Sequence, residues 1–595
     1  MVAAMKLLAW LLPLALCACG GRQPAPRVDH ATLAFTHVRV FDGEHVLANQ
    51  DVLVDGDRIV AVGPDLAIPS GATIVEGTGR TLLPGLFDAH AHIQDGSQLE
   101  QSLAFGVTTV LDMFTFPQLA HTLRAQDRTD RADLRSAGFL ATAPGGHGTE
   151  YGFEIPTITA AQDAQAFADA RFAEGSDYLK IVYDGGSAYG RTIPTISAET
   201  LRALIEAAHA RNKLAVVHIG SYAEARTALE SGADGLMHLF RDQAPEADFG
   251  ALAARTHAFV TPTLAVLNTL IGVKTEIGVD PAIAPYLEMP AQRGLAATFP
   301  IHAKATPRAA ELAIAQLRDA HVPVLCGTDA PNPGTTYGAS VHDELALLVA
   351  AGLPPSTALA GATSLPARRF GLTDRGRIAA GLRADLVLVD GDPTTTITDT
   401  RRIVGIWRTG VKFDRDAYRA RVAEHTRAAQ DALARGVVSD FEDGSLHAQP
   451  GQDWTVSTDA LIGGTSKAAL AVVAAGAAGH ALAITGEVIA GGPASWAGAI
   501  YMPGDRPFAP ADLSRTPGFA FRAKGDGKGY VVMVFTQHGG RAPSTRAFTP
   551  GTDFTAHQFR WSEFGGSDGH DITAILIGQV APGTFRLAID DVELR

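Results

Sequence analysis

Residues 82–92 read LLPGLFDAHAH, an apolar run that turns at Pro84-Gly85 and ends in His90-Ala91-His92. A short apolar run bounded by turn residues fits a strand buried on both faces. Seven more such runs follow: GVTTVLDM (106–113), AGFLATA (137–143), YLKIVYDG (178–185), LAVVHIG (214–220), DGLMHLF (234–240), AFVTPTL (258–264) and VPVLCGTDA (322–330). Ala-rich helical stretches such as AQDAQAFADARFAEG (161–175) and AETLRALIEAAHARN (198–212) lie between most of them. Alternation of strand and helix implies parallel pairing, and eight units close into a (β/α)8 barrel, here over residues 84–373. The long stretch 265–321, before the last run, is expected to carry an inserted helical cap over the mouth.

Outward from the barrel the pattern changes to short alternating strands. Residues 34–83 contain AFTHVRVFDG, VLVDGDRIVAVG and TIVEGTGRTLLPG, with Asp42-Gly43 and Asp55-Gly56 as turn pairs. Residues 374–413 repeat this character. Neither piece has area enough to fold alone, so the two are expected to form one composite β-sandwich. Residues 414–436 read as one charged linker helix. From 437 to 595 the composition turns Gly-, Thr- and Ala-rich with no helix of length, which predicts a separate all-β domain, a sandwich or jelly roll. The fold class is therefore α/β, a TIM-like barrel with a flanking β-sandwich and a C-terminal all-β jelly-roll domain.

The 595 residues carry 49 Lys plus Arg against 63 Asp plus Glu, a net charge of −14, with no basic run. That excludes a nucleic-acid backbone as a natural partner. Only three cysteines are present, two of them within the first 19 residues, so no disulfide framework exists. Residues 1–19, MVAAMKLLAWLLPLALCAC, begin with Lys6 and an apolar run too short to span a bilayer, as in an export signal. Leu16-Cys17-Ala18-Cys19 resembles a bacterial lipobox, with Cys19 the residue that would carry lipid. Residues 20–33 then serve as a tether. The expected location is the periplasm or outer membrane of a Gram-negative bacterium, with membrane contact only through the N-terminal lipid.

Active sites of such barrels lie at the C-terminal ends of the strands. His90 and His92 end run one, Lys180 lies in run four, His218 and His238 end runs five and six, and Asp329 ends run eight. Two imidazoles at i and i+2 on a strand share a face, about 6–7 Å apart at Cα, and reach one cation. His218 and His238 come from neighbouring strands and can bind a second. Asp329 offers a hard oxygen and can accept a proton. A lysine facing a barrel interior beside cations is unfavourable unless its sign is reversed. A CO2-derived carbamate on Lys180 does this and supplies two oxygens that bridge two metals. His37, His209, His257 and His342 lie outside this set and are read as structural.

The chain from Thr36 to Lys412 resembles the amidohydrolase superfamily of metal-dependent hydrolases. The matching pieces are PGLFDAHAH (84–92), FGVTTVLDM (105–113), YLKIVYDGG (178–186), VVHIG (216–220), LMHLF (236–240), GTDAP (327–331), ATSLPARRFGL (362–372) and GRIAAGLRADLVLVDGDP (376–393). Within it the likeness is to the imidazolonepropionase-related group that includes Xaa-Pro and Xaa-Arg/Lys dipeptidases, supported by TAPGGHGTEYG (142–152). The resemblance implies one metal held by His90, His92, Lys180 and Asp329 and another by Lys180, His218 and His238, with Zn²⁺ the expected ion at both. It implies attack by a metal-bridging hydroxide on the amide carbon of a dipeptide or N-acyl amino acid. Asp329 would move the proton, and His238 or its metal would steady the oxyanion. His147, and more weakly Tyr222, are candidate substrate contacts. A mononuclear cyclic-amide hydrolase or deaminase is the nearest alternative. SDFEDG (439–444), WTVSTDALIGGTS (454–466) and FRLAIDDVEL (585–594) resemble the complex I intermediate-associated protein 30 module, a galactose-binding-like fold. That leaves open a glycan ligand for the C-terminal domain and, as a further alternative, a non-catalytic glycan-binding lipoprotein. Oligomeric state has no signature in the chain.

Overall fold

The computed structural model describes residues 28–595 other than 127, 151–153, 300–304, 307, 435, 460–463, 477–478, 492–493, 505–507 and 538–542. The export signal 1–19, its Cys19 and most of the tether lie outside the described residues. The chain divides into two compact units, Met1–Val422 and Ala423–Arg595.

In the first unit, β1 (Leu33–Phe41), β2 (Val46–Asp55), β3 (Arg58–Gly63), β4 (Thr73–Glu76) and β5 (Arg80–Pro84) come first. Then β6 (Leu86–Ala91), β7 (Val107–Asp112) and β8 (Asp133–Ser136) form one parallel sheet, and β9 (Leu179–Val182), β10 (Ala215–His218), β11 (Gly235–Met237) and β12 (Phe259–Thr261) another. Isolated parallel bridges link Ala141 to Ile181, Val260 to Val324 and Ala91 to Ala330. The eight segments thus follow one another edge to edge around a circuit. Helices between them are built as the sequence directs. Ser197 caps Ala198–His209, which buries Leu201, Leu204, Ile205 and Ala208 on one face at the helical period. Asp95 with Gln98, and Ser221 with Glu224, complete capping boxes on the helices after β6 and β10.

Two segments of the circuit differ from expectation. The third strand is Asp133–Ser136, ahead of the apolar run 137–143; its Asp133 enters an ion network described below. The eighth run carries bridges at Val324 and Ala330 rather than a continuous strand. Its backbone is shared out: Leu325 N–H donates to Val260, Cys326 to Gly361, and Thr328 and Asp329 both to the His90 carbonyl. The stretch 265–321 holds short helices, Leu264–Thr269, Met289–Ala296 and Ala309–Asp319 among them.

β13 (Leu386–Asp390), β14 (Ile403–Arg408) and β15 (Val411–Lys412) return to the N-terminal strands, with β13 antiparallel to β5. All eight strands hydrogen-bond into one continuous sheet, β15-β14-β13-β5-β1-β2-β3 with β4 on β1, and the sheet curls so that Trp407 of β14 meets Phe35 of β1 edge-on at 4.7 Å across a shared apolar core. The continuity lies in β1: one edge takes β2, and the other takes β4 along Leu33–Thr36 and then β5 at Arg39–Val40. The helix Arg415–Ala434 follows, its Tyr418 and Val422 packed with Leu103, Ala104 and Ile406.

The second unit is β-rich. β16 (Val437–Ser439), β17 (Gln452–Thr458), β18 (Lys467–Ala474), β19 (His480–Val488), β20 (Ala497–Met502), β21 (Gly518–Gly525), β22 (Tyr530–Thr536), β23 (Ser544–Phe548), β24 (Thr555–Arg560), β25 (Ile572–Gln579) and β26 (Gly583–Leu594) form two antiparallel sheets. Their orders are β18-β19-β26-β21-β24, with β16 on β26, and β17-β20-β25-β22-β23. Trp454, Tyr501, Phe519, Val532, Ile577 and Ile589 meet in the core they share. Asp459 accepts from the N–H and hydroxyl of Ser466, and a Cβ on Gly464 would lie 2.3 Å from its carboxylate. Asp459, Gly464 and Ser466 of WTVSTDALIGGTS are therefore engaged with one another, as a loop clasp. Among the described residues no helix is long and apolar enough to cross a membrane.

Candidate metal centre

Strand register brings the chemistry-bearing residues together. Lys180 is level with Val216, and His218 with Val182, so Lys180 and His218 point to the same side of adjacent strands. His238 and Asp329 come just after apolar segments and hold φ values of 77° and 60°. Left-handed backbone in non-glycine residues costs roughly 1–3 kcal/mol each and persists only where the surroundings enforce it. For Asp329 the enforcing group is Asp88, whose carboxylate accepts from the Thr328 N–H at 3.1 Å, the Thr328 hydroxyl at 2.6 Å and the His90 N–H at 3.1 Å. Gly327 must be bare: a Cβ there would meet Thr261 at 2.5 Å and His90 N at 2.8 Å.

The result is a continuous cluster. Asp329 Oδ1 lies 2.8 Å from His92 Nε2 and 3.2 Å from His90 Nε2. Lys180 Nζ lies 3.4 Å from His90 Nε2. The His90 and His238 rings are 4.7 Å apart, His238 and His218 4.5 Å, and His218 and His147 4.8 Å. Ligand atoms of His90, His238 and Asp329 all fall within 4.8 Å of one another, as a metal site requires.

Electrostatics favour ligands over charges. Burial, then Lys180, holds His90 neutral, its pKa pushed down to about 3. Burial brings His218 to about 4 and takes His238 well below the ordinary imidazole range, with His218 adding to the effect. Burial works to raise Asp329, but its contacts with the surrounding imidazoles, His90 first, outweigh burial and hold its carboxyl well below the ordinary range. Lys180, only 2% exposed, is brought by burial to about 7, so much of it is the free amine at neutral pH. Neutral imidazoles, a carboxylate and an uncharged amine are the protonation states that metal binding and carbamate formation need. Among the described residues, His90 Nδ1 and His92 Nδ1 are buried without a partner. The donor set fits one or two divalent cations.

His147 joins the cluster through its ring, and its Nδ1 lies 2.7 Å from Glu150 Oε1. Tyr222 is placed differently. Its ring packs on Phe240 and Phe249, and its hydroxyl accepts from Arg226 and from the Glu246 N–H. Every polar atom of that side chain is engaged in its own neighbourhood. Four residues of the site escape sequence reasoning: Asp88, Asp184, Thr263 and Glu224. Asp184 Oδ2 is 3.3 Å from His218 Nε2, and Thr263 Oγ1 is 2.7 Å from His238 Nδ1. Asp184, just beyond Lys180 and before Gly185-Gly186, reads in the sequence as an ordinary turn residue.

A circuit of parallel strands with a histidine-rich cluster at their C-terminal ends defines a metal-dependent hydrolase architecture. The amidohydrolase family model matches residues 81–412, more than half the chain, and the protein belongs to that family; it is a hydrolase acting on C–N bonds. The model of complex I intermediate-associated protein 30 matches residues 440–568. The imidazolonepropionase of Deinococcus radiodurans is 27% identical over 380 residues, covering 58% of this chain and 87% of that protein. Among solved structures, a Xaa-Pro dipeptidase with methionine bound in its active site aligns with TM-score 0.52 and 19% identity, over 64% of this chain and 99% of that one. A putative prolidase from Bifidobacterium longum aligns with TM-score 0.52 and 22% identity, over 66% and 100%. At these identities the structural likeness shows the shared fold.

Proposed function

We propose that the circuit is a closed (β/α)8 barrel and that the protein is a binuclear metal-dependent hydrolase of a small amide or peptide, a dipeptide or an N-acyl amino acid. His90, His92, Lys180 and Asp329 would hold one ion, and Lys180, His218 and His238 the other, with Lys180 as its carbamate and Zn²⁺ as the ion. The observation that carries this reading is Lys180: a buried, largely uncharged amine 3.4 Å from a ligand imidazole, with no carboxylate hydrogen-bonded to it among the described residues.

Bound divalent ions supply a more acidic water and a polarised carbonyl. The rest is done by the chain. Asp329, held by the Asp88–Thr328 clasp and touching both His90 and His92, is placed to take a proton from the attacking water and hand it to the leaving nitrogen. His238 gives its Nδ1 to Thr263 and keeps Nε2 for the site, where it would coordinate an ion or, beside the ion, steady the oxyanion. His147 stands beside His218 where a substrate's polar group can meet it. The test is elemental analysis together with a screen of dipeptides and N-acyl amino acids. Two equivalents of metal per chain and hydrolysis of such amides are expected, with Lys180→Ala losing metal and activity and partly regaining both with short carboxylic acids.

The compact trio His90, His238 and Asp329 favours a second reading, a mononuclear cyclic-amide hydrolase. One equivalent of metal, unchanged in Lys180→Ala, would select it.

A further inference from the structure

Asp184 is only 2% exposed, yet it is a carboxylate with no arginine or lysine bonded to it among the described residues. Its two oxygens are used separately. Oδ1 accepts from the Gly186 N–H at 2.7 Å, and Oδ2 faces His218 Nε2 at 3.3 Å. Room for it is made on the other strand end: a Cβ on Gly220 would lie 2.7–2.9 Å from the carboxylate atoms of Asp184. The two loops that carry Asp184 and His218 are tied together by Glu224. Its Oε1 accepts from the Gly185 N–H at 2.8 Å, and its Oε2 from the Gly220 and Ser221 N–H groups at 3.0 and 2.8 Å. The distance from Asp184 to His218 is therefore fixed by backbone contacts on both sides, not by side-chain chance.

A neutral imidazole carries its proton on one nitrogen only, and an acceptor facing one nitrogen decides which. We infer that Asp184 is the positioning residue of the second metal site: it holds the His218 proton on Nε2 and leaves Nδ1 as the donor atom to the ion. His238 is set the opposite way, since Thr263 takes its Nδ1 and leaves Nε2. The pair thus presents unlike nitrogens, which follows from their different partners. This inference rests on the binuclear reading above. Carboxylate partners of ligand histidines change metal affinity by about 10–100-fold when removed.

The test is metal affinity, measured by chelator competition with Zn²⁺ on the full-length protein, for wild type, Asp184→Asn and Asp184→Ala, each checked for an unchanged circular dichroism spectrum. Asp184→Ala should weaken one of two Zn²⁺ equivalents by about 10–100-fold and leave the other within threefold. Asp184→Asn, whose amide oxygen still accepts from Nε2–H, should lose much less. In selectively ¹⁵N-histidine-labelled apoprotein, Asp184→Ala should also shift one imidazole away from the Nε2–H tautomer. Unchanged affinity and tautomer in Asp184→Ala would overturn the inference while the two-metal reading stands. Equal loss in the Asn and Ala variants would make Asp184 a ligand, and overturn it too. A wild type that binds one equivalent or none would fail the binuclear reading itself and the inference with it. If Asp184→Ala does not fold, Gly220→Ala, which crowds the same carboxylate, is the second variant, with the same loss of one equivalent expected.

Discussion

Asp329 is asked both to hold a cation and to move a proton, and its surroundings explain how one carboxylate does both. Burial alone would protonate it; its contacts with the imidazoles around it hold its carboxyl well below the ordinary range, and the left-handed backbone at Asp329 lets Oδ1 touch two imidazoles at once. Asp329→Asn preserves size and most of these contacts but removes the base. Turnover should fall by at least about 100-fold, the scale of a lost general base, while the melting temperature stays within a few degrees. Activity near the wild-type rate in that variant would remove Asp329 from the proton path. His342, away from this cluster, makes a separate statement about acid. Burial, then Arg401 and Arg415, depresses it to about 4, and its Nε2 donates to the Phe105 carbonyl at 2.9 Å. Unfolded, it titrates near 6.5, so its contribution is complete above pH 6.5 and is lost as pH falls towards 4. The loss amounts to roughly 3 kcal/mol. The drop in melting temperature between pH 7 and pH 4.5 should therefore be smaller in His342→Gln than in the wild type; an equal drop would show that this imidazole does not drive it.

At the scale of elements, the N-terminal end of the circuit is fastened to the eight-stranded sheet by charge rather than by apolar packing alone. Asp133 on β8 receives Arg375 and Arg383, with Arg408 of β14 at 3.8 Å. Burial would raise its carboxyl, but the three guanidinium groups outweigh burial and hold it far below the ordinary range. Arg383 also binds Asp385, which in turn accepts from the Thr409 N–H. This network accounts for the buried-side charge of Asp133 at the start of the third strand. Asp133→Ala removes the acceptor that three guanidinium groups share, while Asp374, Asp385 and the Arg128 carbonyl still hold one each, and should cost about 1–3 kcal/mol. Urea unfolding would register this as a lower midpoint with activity per folded molecule unchanged. A cost below about 1 kcal/mol would place these charges in solvent-like surroundings.

Across the whole molecule, what could be read from the sequence follows from residue type and place. His90, His92, Lys180, His218, His238 and Asp329 announce themselves because histidine, lysine and aspartate are out of character at the ends of apolar runs. Asp184 before Gly185-Gly186 reads as an ordinary turn, and Asp88, Thr263 and Glu224 act through backbone groups that leave no pattern. The single sheet was hidden for a similar reason: nothing in LAFTHVRVF tells that one edge of β1 serves two partners in succession. The cluster is supplied entirely by residues 90–329, which bears on the question of the N-terminus. If Cys19 carries lipid, the anchor is separated from the first described strand at Leu33 by only a short tether, and nothing in the cluster depends on it. Acyl chains bind a bilayer with about 0.8 kcal/mol per buried CH2, so losing them should change location and not chemistry. Full-length protein should sediment with membranes and partition into detergent. Cys19→Ser should move to the soluble fraction with the same metal content and the same rate per molecule, and Cys17→Ser should remain membrane-bound. A Cys19→Ser protein still in the membrane pellet would transfer the anchoring role away from that cysteine, and a soluble wild type would make residues 1–19 a simple cleaved signal.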